Sequence, residues 1–125
     1  MLPIFLVAAG GATGSVLRYL VGLWSLRSLG PTFPWGTMIV NVVGSFAIGL
    51  LAELVARRLN ASAEMRLLLV TGFLGGFTTF SAFSLDALTL FERGAAGTAV
   101  AYVLGSVVIS LMAVVGGLAL GRSMF

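Results

Sequence analysis

At 125 residues, with 59% hydrophobic and only 9% charged side chains, the chain is far more apolar than a soluble domain and reads as an integral membrane protein. Its net charge of +3 comes from seven arginines set against Glu53, Glu64, Asp86 and Glu92, and their scatter along the chain excludes a nucleic-acid surface. With no His and no Cys, disulfides, thiolate or imidazole metal sites and the usual nucleophile-base pairs are excluded, so the chain is not expected to be an enzyme.

Four apolar runs follow in order, Ile4 to Leu26, Gly36 to Ala56, Leu67 to Phe91 and Ala99 to Gly121, each long enough for the roughly 20 residues of a spanning helix. Residues 1–125 therefore form one all-α membrane domain of four transmembrane helices, with no soluble module. Met1-Leu2-Pro3 lacks the charged start of a cleaved signal peptide, so the first run is expected to stay in the mature protein. On it Gly10, Gly14 and Gly22 keep a four-residue spacing with Arg18 between, a small-residue face for close helix approach. Gly30-Pro31-Thr32-Phe33-Pro34 then breaks the chain. The second run is thinned by Gly44 and Gly49. It places Asn41 about one and a half turns in, with Ser45 one turn further on the same face. A carboxamide in hydrocarbon is costly unless it finds partners.

The third run carries the sharpest local signal, Gly72-Phe73-Leu74-Gly75-Gly76-Phe77-Thr78-Thr79-Phe80-Ser81-Ala82-Phe83. Adjacent glycines followed by two threonines weaken a helix through backbone entropy and β-branching, which predicts a third helix broken at its centre. Non-helical backbone at membrane depth survives only inside protein or beside a polar cavity, so the break is the first place to look for function. On the fourth run Thr98, Tyr102, Ser106 and Ser110 recur every four residues, a slowly drifting stripe of hydroxyls, while Gly117 and Gly121 repeat the small-residue pattern. A lone Ser or Thr often bonds back to its own i−4 carbonyl, and a lone Asn often joins two helices. Hydroxyls in register together with Asn41 point instead to a polar track.

An even number of spans puts both termini on one side. That side holds Arg57, Arg58, Arg66 and Arg122, and the other holds Arg18, Arg27 and Arg93, so positive charge barely selects an orientation. An antiparallel dual-topology homodimer and a single orientation with the termini inside both remain open on this tally.

The track has the chemistry of an anion path. Amide NH2 and hydroxyl groups donate without fixed charge, and Phe80 and Phe83 can turn the positive edges of their rings inward. A small, strongly hydrated anion needs several such donors to replace its water, and no acidic side chain sits deep enough to favour cations.

Three stretches in register, Gly10-Gly11-Ala12-Thr13-Gly14-Ser15-Val16-Leu17-Arg18-Tyr19, then Pro34-Trp35-Gly36-Thr37-Met38-Ile39-Val40-Asn41-Val42-Val43-Gly44-Ser45-Phe46, then the third-run motif above, closely resemble the bacterial fluoride channel family known as Fluc or CrcB. The resemblance covers essentially the whole chain. It implies a fluoride-selective channel that exports fluoride passively through the bacterial inner membrane and lowers its cytoplasmic level. It also implies a lipid-embedded antiparallel homodimer with two pores. By resemblance, Asn41 and the ring edges of Phe80 and Phe83 line the fluoride path, Ser106 and Ser110 continue it with Tyr102 nearby, and Arg18 attracts anions to a vestibule. The resemblance further implies a structural sodium ion on the two-fold axis, held by the backbone carbonyls of Gly75 and Thr78. Ala82 stands where the family commonly has Thr, so no hydroxyl role is carried to it, and Asp86 stands where Glu is often found.

The competing reading is a proton-coupled small multidrug transporter, another four-helix dual-topology dimer of this size. Such a transporter needs a carboxylate buried in the first helix, where this chain has only Arg18. A non-transporting assembly subunit would explain the glycine faces but would leave the central break and the hydroxyl stripe unused.

Overall fold

The computed structural model describes residues 1–57 and 63–125, and Arg58 of the charge tally lies outside them. Among the described residues the chain is all-helical, with four segments long and apolar enough to cross a membrane: Leu2–Leu29, Trp35–Arg57, Ala63–Glu92 and Ala96–Met124. Each outruns the apolar run that announced it, because helix ends carry polar and aromatic residues that hydropathy does not count.

Helix α1 (Leu2–Leu29) starts with Pro3 in its first turn, where a missing N–H costs nothing, and stops at Gly30, whose φ of 84° favours glycine. Helix α2 (Trp35–Arg57) begins directly after Pro34. The third span is composite. A short α3 (Ala63–Arg66) runs into a π-helical segment over Leu67–Leu74, then α4 (Gly75–Phe77), and the chain resumes as α5 (Phe80–Glu92). Helix α6 (Ala96–Met124) follows after a turn at Gly94, φ 82°.

Two glycine seams hold the bundle. Helix α2 packs most extensively on α6, and α1 packs on the π segment and α4. A Cβ added at Gly49 would meet Leu118 N at 2.9 Å, and one at Gly117 would meet Leu50 N at 3.0 Å, so on the first seam backbone touches backbone. Across the second, a Cβ at Gly14 would meet Phe77 N at 2.8 Å, and one at Gly10 would meet Phe73 N at 2.7 Å. With no hydrophobic drive between helices in lipid, such contact supplies the van der Waals attraction that large side chains would hold off. Gly22 itself faces open space, although a Cβ on its neighbour Gly36 would meet Gly22 Cα at 3.1 Å.

The far ends of α2 and α6 are tied by charge. Glu53 accepts from Arg57 Nε and from Arg122 Nε, both at 2.9 Å. One carboxylate thus balances two of the arginines assigned to that side. At the opposite end Phe83, Leu90, Ala99 and Tyr102 form a small apolar cluster beneath the α1–α2 turn.

Candidate functional site

The interruption in the third span falls on the threonines. Gly75 is helical, with φ −60° and ψ −37°, whereas Thr78 (φ −91°, ψ 159°) and Thr79 (φ −153°, ψ 118°) are extended. Of the two glycines that weaken the helix in sequence, Gly76 serves close packing, since a Cβ there would meet Gly11 C at 3.1 Å.

Helix interruption leaves backbone groups without partners, and at membrane depth each must be satisfied. Asn41 lies 38 positions away in sequence and takes up Thr79 from both sides. Its Nδ2 donates to Thr79 O at 2.9 Å, and Thr79 N–H donates to Asn41 Oδ1 at 2.8 Å. Arg18 Nε donates to Gly76 O at 3.0 Å. Thr79 Oγ1 accepts from Ala82 N–H at 3.1 Å and so caps the start of α5.

These substitutions have a further effect. In a continuous α-helix Thr79 N–H would serve Gly75 O and Ala82 N–H would serve Thr78 O, by the i to i−4 rule. Both donors are engaged elsewhere, so those two carbonyls lose the partners a helix would have supplied. Gly75 is exposed in the single chain, and a Cβ placed there meets nothing nearer than Val70 O at 3.8 Å.

Beside the interruption lies a cavity of ≈ 380 Å³ whose lining includes Asn41, Ser45, Phe80, Phe83, Ser106 and Ser110. Ser106 is 5% exposed, and its Oγ is the one buried side-chain polar atom among the described residues with no hydrogen-bond partner. Most buried polar atoms are paired, so an unpaired hydroxyl facing a cavity marks a place for a guest. Other membrane hydroxyls are spent locally: Thr13, Thr78, Ser84 and Thr89 each donate to the carbonyl four residues back.

The two phenylalanines differ. Phe83 is buried and Phe80 is 78% exposed, with their ring centroids 5.6 Å apart. Phe83 packs on Tyr102 at 5.2 Å, and Tyr102 is fully buried, standing perpendicular to the Phe33 ring at 5.4 Å and reaching Asp86 Oδ2 with its hydroxyl at 3.4 Å. Phe33 and Asp86 line a second cavity of ≈ 320 Å³ that also borders Thr37, Thr89 and Arg93. Tyr102 therefore stands between the two cavities, touching a wall of each.

Asn41, Phe80, Phe83, Ser106 and Ser110 thus share the first cavity with Gly75 and Thr78, while Tyr102 adjoins it and Arg18 is tied to the interruption from the α1 side. Thr98, the first member of the hydroxyl stripe, is exposed near the start of α6 and borders neither cavity. Sequence reasoning did not couple Arg18 to Gly76, because 58 positions separate them and neither residue signals the other.

Residues 5–118 match the family described as CrcB-like protein, Camphor Resistance (CrcB). A protein of Agrobacterium fabrum named fluoride-specific ion channel FluC is 70% identical over 125 residues, covering 100% of both chains. Proteins of the same name are 65% identical over 124 residues in Rhizobium etli strain CIAT 652, covering 99% of each chain, and 61% identical over 121 residues in Rhizobium meliloti, covering 97% of each.

Proposed function

The chain belongs to the CrcB-like family, and from that premise we propose that it is a fluoride-specific channel, passing the anion down its gradient through the cavity between α2, α5 and α6. The unpaired hydroxyl of Ser106 carries this reading, because a buried donor without a partner suits an anion that must exchange water for fixed hydrogen bonds. Asn41 holds Thr79 with one amide hydrogen and has a second to offer, Ser106 and Ser110 add hydroxyls, and the Phe80 and Phe83 edges add positive rims. In proteoliposomes with potassium gradients and valinomycin, the protein is expected to release fluoride and retain chloride. Equal release of both ions, or of neither, overturns the proposal.

The same reading supplies the assembly and the location: two copies in opposite orientations in the bacterial inner membrane, surrounded by lipid. Support comes from the near-balanced arginines and from the exposed face bearing Phe80 and Gly75, which leaves the cavity open on one flank in a single chain. A reporter fused to the C-terminus should be active on both sides of the membrane, and activity confined to one side would overturn dual topology.

A structural sodium ion fits the interruption. The Gly75 and Thr78 carbonyls lack their helical donors, a second copy would double them, and a hard cation takes oxygen ligands without needing a carboxylate. When bound, the ion would neutralise carbonyl dipoles at the dimer axis. Replacing sodium for hours by a large organic cation is expected to lower dimer stability and fluoride efflux, and persistence of both would exclude the ion.

A further inference from the structure

We propose that Asn41 is a positioning residue for the cation site as well as a donor on the fluoride path: its carboxamide holds Thr79 away from helix and so keeps the Gly75 carbonyl open to a cation. The inference rests on the sodium reading above and adds to it the side chain that maintains the site.

The geometry is reciprocal. Thr79 N–H, the natural donor to Gly75 O, is taken by Asn41 Oδ1 at 2.8 Å, while Thr79 O is held by Asn41 Nδ2 at 2.9 Å. A side chain that occupies both backbone groups of one residue fixes its peptide planes, and here it fixes them in the extended region at φ −153° and ψ 118°. Gly75, Gly76 and Phe77 are already helical, so one further turn needs only Thr78 and Thr79 to follow. Without the carboxamide, Thr79 N–H would lie at membrane depth with no acceptor, and the nearest remedy is the i−4 carbonyl that the cation would otherwise use. The neighbouring carbonyl of Gly76 is occupied by Arg18 Nε at 3.0 Å, which leaves Gly75 O as the one exposed to this competition. The anion path and the cation site thereby share a residue, Asn41 facing the cavity on one side and the interruption on the other.

The test is the thermal unfolding midpoint of the purified dimer, titrated with sodium chloride at constant ionic strength made up with N-methylglucamine chloride. Wild type, Asn41→Leu and Phe83→Ile are compared. Leucine keeps the branched shape and removes both polar atoms, whereas Phe83→Ile alters the fluoride path and spares the backbone clamp. Wild type and Phe83→Ile are expected to show the same sodium half-point, and Asn41→Leu one at least tenfold higher or none. Asn41→Ala, read in the same way, replaces the leucine variant should that fail to assemble. An unchanged half-point in the Asn41 variant overturns the positioning role while leaving the sodium site standing. A wild type indifferent to sodium overturns the sodium reading and this inference together.

Discussion

Asn41→Asp is expected to reduce fluoride efflux roughly a hundredfold or more while the purified protein keeps the oligomeric size of the wild type. The exchange keeps shape and volume but turns the amide NH2, the donor that faces the cavity and Thr79 O, into an acceptor. An ionised carboxylate about 4 Å from a passing anion raises its energy by about 4 kcal/mol at the effective dielectric of a partly hydrated site, which corresponds to roughly a thousandfold in rate. One carboxylate oxygen can still accept from Thr79 N–H, so that donor stays captured, while Thr79 O loses its amide donor. Efflux in liposomes and size-exclusion chromatography are the two measurements. Wild-type flux in an Asn41→Asp protein of unchanged size would return the residue to a purely structural role.

The largest expected effect on folding is at Gly117. A Cβ there would meet Leu50 N at 3.0 Å and Phe46 C at 3.1 Å, and the contact with Phe46 O is closer still. Because these are backbone atoms of α2, no rotamer change relieves the clash. Gly117→Leu must part the two helices, at a cost beyond the ~1–3 kcal/mol typical of overpacking. The adjacent Gly116 is the control, since its Cβ would meet nothing closer than Phe46 Cε2 at 4.0 Å. Extraction and size exclusion should yield folded protein for Gly116→Leu and little or none for Gly117→Leu. Comparable yields would show that the α2–α6 seam tolerates a gap.

The spans were legible because apolar runs of this length have few other fates, and the paired glycines of α1 and α6 announced their packing faces correctly at Gly10, Gly14, Gly117 and Gly121. The exact site of the interruption was less so. Local propensity points to Gly75 and Gly76, but both stay helical, Gly76 in close approach to α1, and the extended residues are Thr78 and Thr79, the second captured by Asn41 from another helix. A bond across 38 positions leaves no trace in a local window. The π-helical turns over Leu67–Leu74 were illegible for a similar reason, since an apolar stretch satisfies either helix and the choice is made by the fit against α1. Of the hydroxyl stripe, Ser106 and Ser110 line the cavity and Thr98 is exposed: a stripe on a four-residue repeat drifts around the helix, so Thr98 points out of the bundle where Ser106 faces inward.

Gly75 differs from the seam glycines in what a methyl group there would encounter. At Gly10, Gly14, Gly49 and Gly117 an added Cβ collides with the same chain, whereas at Gly75 it finds no atom within ordinary contact short of 3.8 Å. A mutational survey scored by expression of the lone subunit would therefore rank Gly75 among the permissive positions, and, if the proposed second copy packs there, one scored by growth in fluoride would rank it among the intolerant. The disagreement between two such surveys, plotted along the sequence, would draw the outline of the assembly surface without any image of the dimer.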